Sequence, residues 1–198
     1  MRVLPSGLMA ILMFLGNLAG VTAAAVEQAG WSLQSLMHTI ATVKNRNDHF
    51  TETKELAILD LTLTQEGTLH FQAPDRLSKQ ILTPEPSSFE IAGNQATIKS
   101  AGDPDQVISL EDNPQLRAFS ESIRAVLAGD LQALQTHFRT KLKGNAEHWE
   151  LQLEPLDDLL AMQVDHIEVR GEGSNIRQFI VLENGGDRTV TTLEPTRD

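Results

Sequence analysis

The sequence contains no cysteine, and it carries few basic residues: 16 Lys and Arg against 27 Asp and Glu, for a formal charge of −11. The first absence excludes thiol catalysis, a lipid-modified cysteine and the disulfides that many small secreted domains rely on. The acidic balance makes the chain a poor candidate for binding nucleic acid or anionic headgroups through general electrostatics. We therefore expect about 170 residues to form their own core, and any lipid to be met by enclosed apolar contacts.

Long apolar runs are also absent, except at the N-terminus. There Arg2 precedes an apolar stretch from Leu8 to Leu18, and a small-residue tract covers positions 21–25. This order is typical of a cleaved secretory signal peptide, and the stretch is shorter than the ~20 residues of a membrane span, which disfavours an uncleaved anchor. We predict removal of residues 1–23, with cleavage after Ala25 as second choice. Residues 24–198 then form a single soluble periplasmic domain.

Helical and strand periodicities alternate along the remaining chain. Apolar residues at helical spacing predict an amphipathic helix over Trp31–Lys44 with Ser32 as N-cap. A second helix is predicted from Asn113-Pro114 to Gly129, and Asp130 is placed to cap a short third one. Between and after them the chain consists of short strand-like runs separated by turn residues. These predicted runs are His49–Leu56, Leu61–Phe71, Leu77–Leu82, Ser88–Ala92, Ala96–Ser100, Gln106–Leu110, Phe138–Lys143, His148–Leu153, Val164–Arg170, Ile176–Glu183 and Arg188–Leu193.

So many consecutive strands must curl or close to protect their edges, and a few helices can cover only one side of them. The predicted fold class is therefore α+β, mainly β. We expect an unclosed antiparallel β-barrel, a curved sheet, covered by the N-terminal helix and one or two central helices.

Recognisable catalytic and metal-binding motifs are missing. The chain has no G-x-S-x-G elbow, no H-E-x-x-H and no phosphate loop. His166 and Glu168 share a strand face, but a third metal ligand is missing and a solvated polar face is the commoner interpretation. Asp157-Asp158 is better explained as a turn or a helix start than as a catalytic pair. We predict no enzymatic activity and no cofactor or metal.

The remaining candidate site is apolar, and spacing alone permits two interpretations. The same side chains can form an ordinary filled core, or they can line a cavity for an acyl chain under the helices. The candidate ligand-binding residues are Leu36, Met37, Ile40, Phe50, Leu69, Phe71, Leu77, Ile81, Phe89, Ile91, Leu116, Phe119, Ile123 and Val126.

Several short motifs occur in a recognisable order: His49–Lys54, then Gln65–Asp75 with its G-x-L-x-F-x-x-P core, then Trp149–Pro155, and last the paired runs 167–170 and 176–182. Together they resemble the periplasmic outer-membrane lipoprotein carrier (LolA-like) family, as a divergent branch, over nearly all of the mature chain. The resemblance implies an apolar interior that accepts the acyl chains of a lipid or lipoprotein. It also implies an inner-membrane donor, an outer-membrane acceptor and a monomeric protein.

One departure from the family stands in the second motif. The resemblance implies an arginine just before the proline that holds the helical lid shut, and here that position is Ala73. We therefore expect a lid that lacks this tie. The alternative function is a periplasmic sensor or assembly-factor module that uses the same fold to bind a protein segment. A hydrolase is disfavoured by the missing motifs.

Overall fold

Residues 31–196 are described by a computed structural model, so the predicted signal peptide lies outside the described residues and stays a prediction. Eleven strands in this range form one antiparallel sheet. The strands are β1 (Asn45–Leu56), β2 (Leu61–Gln72), β3 (Arg76–Thr83), β4 (Ser87–Ala92), β5 (Gln95–Ser100), β6 (Gln106–Ser109), β7 (Phe138–Gly144), β8 (Trp149–Pro155), β9 (Val164–Glu172), β10 (Asn175–Glu183) and β11 (Arg188–Pro195). The helices are α1 (Leu33–Ala41), α2 (Pro114–Ala128), α3 (Leu131–His137) and α4 (Asp158–Ala161).

The helix ends follow the predicted capping residues. The side chains of Ser32, Asn113 and Asp130 each accept a hydrogen bond from the backbone N–H three residues later. Each therefore satisfies one of the unpaired donors of a first helical turn. Gly129 ends α2 with φ 67°, a left-handed conformation that glycine adopts without strain.

The strand order is β6-β5-β4-β3-β2-β1-β11-β10-β9-β8-β7. Each strand lies beside its neighbour in sequence, except that β11 returns to pair with β1 and the two halves meet there. The edge strands β6 and β7 do not pair with each other, which leaves the curved sheet open. The predicted fold class, an unclosed antiparallel barrel covered by helices, is confirmed.

The register decides which side chains face the helices. Residues directly opposite each other in an antiparallel pair share a face, and Phe50 lies opposite Gly67 on β2 and Leu193 on β11. We call the side that carries Phe50 the concave face. Its apolar side chains and those of the helices form one buried cluster, which includes Leu36, Met37, Ile40, Phe50, Leu69, Phe71, Leu77, Ile91, Leu110, Val126, Leu134, Trp149, Leu151, Leu153, Ile167, Val169, Ile176 and Leu193.

Two boundaries differ from the prediction. Helix α1 ends at Ala41 rather than near Lys44, because Thr42 turns the chain and its hydroxyl donates to the carbonyl of Thr39. Strand β1 then begins at Asn45, four residues before the predicted His49. The inward positions at its start hold charged rather than apolar residues, so the alternation that marks a strand was hidden there.

Candidate functional site

The structure brings most of the predicted ligand-binding residues together between sheet and helices. Nine of them are buried members of the core cluster: Leu36, Met37, Ile40, Phe50, Leu69, Phe71, Leu77, Ile91 and Val126. Ile81, Phe89, Leu116 and Ile123 are partly buried against that cluster. Phe119 is half-buried. The prediction that strand and helix residues share one apolar interior agrees with this placement.

Most side chains of that interior are buried in one apolar cluster in this conformation. A surface groove of about 630 Å³ is lined mainly by polar and charged residues of β7–β10 together with Trp149. Of the predicted ligand-binding residues, only Phe50 lines one of the four surface grooves found within residues 31–196.

Helix α2 presents a different face to the core than its apolar spacing predicts. Its buried positions hold Ala118, Ser120, Ser122 and Ala125, followed by Val126 and Leu127, whereas the larger Leu116, Phe119 and Ile123 are only half-buried. The two serine hydroxyls donate to the carbonyls of residues 116 and 118, four positions earlier in the helix. Because these hydroxyls are satisfied locally, they can be buried without partners elsewhere.

The end of α2 is packed closely on α1. A Cβ atom on Gly129 would lie 2.3 Å from the carbonyl oxygen of Met37 and 2.6 Å from the amide nitrogen of Ala41. No side chain fits at these distances, so a glycine is required for contact as well as for its positive φ. This contact fixes the C-terminal end of α2 against α1.

A single arginine links the middle of α2 to the sheet. The guanidinium of Arg124 donates to the carbonyl oxygen of Gly93 at 2.9 Å and to that of Asp75 at 3.5 Å. These carbonyls belong to the β4–β5 and β2–β3 turns, and the second lies two residues after Ala73. Ala73 cannot supply the tie that the family's arginine implies, so that expectation stays a prediction; Arg124 makes a link of another kind, with the arginine on the helix and the acceptors in the turns of the sheet.

The central strand β1 carries charged residues on the concave face. Its inward side chains are Arg46, Asp48, Glu52 and Lys54, interrupted by Phe50, and we call these four charged residues the β1 seam. Reasoning from the sequence missed them as site residues because it followed apolar spacing. The available signal was the regular recurrence of ionisable residues at every second position.

The first pair of the seam lies deepest. Arg46 and Asp48 are both buried, and Arg46 donates to the carbonyl of Ser174 at 2.7 Å. Burial raises the pKa of Asp48, against the opposing effect of the positive charges of Arg46 and Arg177. Burial also lowers the pKa of Arg46. Its Nε has no hydrogen-bond partner within the described range, so this end of the seam retains an unused donor.

The second part of the seam is a closed network around Glu52. Lys79 donates to both carboxylate oxygens, at 2.8 and 2.7 Å, Thr191 donates to one of them at 2.6 Å, and Gln65 adds a further bond. Burial alone would raise the pKa of Glu52, but the Lys79 charge and these hydrogen bonds outweigh it and lower that pKa. The Lys79 ammonium also lies 4.7 Å from the centre of the Phe50 ring, within cation–π distance.

The outer face of the sheet carries a cluster of histidine, acidic and arginine side chains around His166. His166 lies between Asp165 and Glu168, at 2.6 and 3.4 Å, and Glu168 also pairs with Arg170. No group of three or more His, Asp or Glu side chains within residues 31–196 is arranged to hold a metal ion. Asp157, as expected, caps a short helix by accepting from the amide of Leu160.

A family model described as outer membrane lipoprotein carrier protein LolA-like matches residues 20–196. The chain belongs to this family. A search of curated proteins found no match. Among the helices of residues 31–196, none has the length and apolar character that crossing a membrane requires.

Three solved structures illustrate how far the likeness extends. A LolA superfamily protein from Nitrosomonas europaea is 8% identical, with 85% of this chain and 94% of that chain covered and a TM-score of 0.46. A DUF1329 family protein from Desulfovibrio piger is 10% identical. The match covers 82% of this chain and 88% of that chain, with a TM-score of 0.46. In the MucA/MucB complex of Pseudomonas aeruginosa the matching chain is 14% identical to this one. The match covers 83% of this chain and 57% of that chain, with a TM-score of 0.42. Likeness at this level says nothing about ligand or partner.

Proposed function

We propose that this LolA-like protein is a non-catalytic carrier in the periplasm. In this proposal it holds the acyl chains of a lipid or lipoprotein between sheet and helices and moves them from an inner-membrane donor toward an outer-membrane acceptor. The observation that supports it most is the construction of the cover. The apolar concave face is closed by helices. Between residues 118 and 125 the buried side of α2 consists of small side chains with one arginine tie, whereas Val126 and Leu127 anchor its C-terminal end in the core.

This construction allows α2 to move without dismantling the sheet. The small buried residues Ala118, Ser122 and Ala125 leave little interdigitated surface along this part of α2, because buried area sets the cost of separation. The C-terminal end stays in the core through Val126 and Leu127. Meanwhile Leu116, Phe119 and Ile123 already stand half-buried on the same helix. When α2 lifts, these side chains and the apolar residues below them can cover an acyl chain from both sides.

Displacement of a fluorescent fatty acid tests the proposal. We expect binding at micromolar levels or tighter, about −8 kcal/mol. Phe119→Asn and Ile123→Asn should each weaken it at least tenfold, with a folded circular dichroism spectrum. Val107→Asn, at an exposed aliphatic residue on the edge strand β6, is the matched control. Absence of binding by the unaltered protein, or equal affinity of all variants, contradicts the proposal.

A second candidate function rests on the β1 seam. Acyl chains have no group that could pair with the Nε of Arg46, which is unpartnered within residues 31–196, whereas a polypeptide offers carbonyls and charged side chains. A protein segment bound in the manner of a sensor or assembly factor fits this polar part of the concave face. Native mass spectrometry of the protein purified from its own envelope separates the two functions, since it identifies a bound lipid or a bound polypeptide by mass.

A further inference from the structure

The hairpin formed by β1 and β2 ends in a group of exposed aliphatic side chains. Ile58 is 88% exposed and Leu59 68% exposed at the turn, and Leu63 and Leu61 follow on β2 at 50% and 46%. We call these four residues the apolar tip. Contiguous exposed apolar residues of this kind mark a contact with a membrane or another protein, since they gain nothing from facing water.

The tip is held rigidly. Leu56 pairs with Leu61 across the hairpin, and the amide of Leu59 donates to the carbonyl of Leu56 at 3.2 Å. The amide of Ala57 donates to the carboxylate of Asp187 in the neighbouring β10–β11 turn at 2.9 Å. The exposed side chains are therefore presented in a fixed arrangement, which lowers the entropy cost of a contact.

The tip also projects past the sheet on one side. Strand β3 pairs with β2 only as far as Glu66, so residues 61–65 extend beyond it. At about 3.4 Å per residue this is a reach of roughly 17 Å. Leu61 and Leu63 share the concave face with Leu69 and Phe71, because they stand at alternate positions of one regular strand pair. The tip thus continues the face that holds the candidate ligand site.

We propose that the apolar tip inserts into the surface of a phospholipid bilayer with electrically neutral headgroups. Consecutive side chains at a turn point in different directions, so a fluid hydrocarbon layer can surround all of them whereas a rigid protein groove covers only some. The charges nearest the tip favour neutral lipid. Lys54 and Arg188 are outnumbered there by Glu55, Asp60, Glu183 and Asp187, in a chain of formal charge −11, so anionic headgroups are repelled.

This contact goes beyond cargo binding, and its test uses empty vesicles so that the two can fail separately. The full mature chain is floated with phosphatidylcholine vesicles. Ile58→Asn and Leu59→Asn should each lower the partition coefficient at least fivefold, and the double variant at least twentyfold. Val107→Asn again serves as control, as an exposed aliphatic residue far from the hairpin in sequence, and should change it less than twofold. All three positions are exposed, so folding is expected to survive and is checked by thermal melting.

A fluorescence measurement supplies a second readout. Leu59→Trp should show a blue-shifted emission with phosphatidylcholine vesicles, and Val107→Trp should not. No vesicle binding by the unaltered chain, equal loss in the tip and control variants, or binding that requires anionic lipid overturns the proposal. Tip variants that leave vesicle binding unchanged while abolishing capture by a protein partner also overturn it, in favour of a protein contact.

Discussion

Replacing Arg124 by methionine tests whether helix α2 is a tied lid. The change removes the donors to Gly93 and Asp75 while keeping a long apolar stem on the helix. A hydrogen bond from a charged group contributes about 1.5–3 kcal/mol. Arg124 is half-buried and only its 2.9 Å bond is short, so we expect the lower end of that range, about 1.5 kcal/mol. A free-energy difference of this size raises the equilibrium constant for lifting α2 roughly tenfold.

Native-state hydrogen exchange measures this lifting directly, because amides exchange when their segment opens. In the Arg124→Met protein, amides of residues 116–128 should exchange about tenfold faster, while those of β1 and β2 stay unchanged. Arg117→Met is the matched control, since Arg117 is exposed on the same helix. The variant should also take up a fluorescent fatty acid faster. If the amides of α2 exchange equally slowly in the Arg124→Met protein, the Arg124 hydrogen bonds do not stabilise the closed position of α2, and this helix is an ordinary part of the core.

Three further predictions concern stability, pH and export. Gly129→Ala should lower the free energy of unfolding by more than about 2 kcal/mol, because a Cβ would meet α1 and strain a positive φ. At Gly173 φ is also positive, but no atom of a non-neighbouring residue lies within 4 Å of where a Cβ would stand, so Gly173→Ala should show only the cost of the backbone strain. Both changes are measured by urea titration. The lowered pKa of Glu52 means that its stabilisation is present above its unfolded-state pKa, for which 4.5 is the reference value, and is lost as pH falls through the folded-state pKa. The unaltered protein should therefore lose more stability than Glu52→Gln between pH 7 and pH 4; the opposing effect of Asp48 is common to both, and equal losses contradict the assignment. Intact-mass measurement should show a mature chain that begins at Ala24 or Val26, and a membrane-bound protein that retains Met1 refutes cleavage.

The candidate site was predictable in part. Apolar residues at helical or strand spacing lead to the core, so periodicity alone identifies Ile40, Phe71 and Val126 as inward-facing. Helix α2 shows the limit of this reasoning. Its large apolar residues define a stripe by periodicity, yet the small Ala118 and Ser122 occupy the buried side. Spacing along one helix contains no information about how near the next helix lies.

By itself, the sequence determined where elements begin, end and alternate, because capping, turn formation and strand periodicity depend on residues within a few positions of each other. Ser32, Asn113 and Gly129 show this. The tertiary structure alone decided which distant groups meet: Lys79 with Glu52, and Arg124 with the carbonyls of two turns. It also decided that Arg46 and Asp48 point inward, since burial of a charge is stable only where the folded sheet supplies its partners. The reach of the apolar tip belongs to the same class, because residues 61–65 extend past the sheet only as a result of where β3 stops pairing with β2.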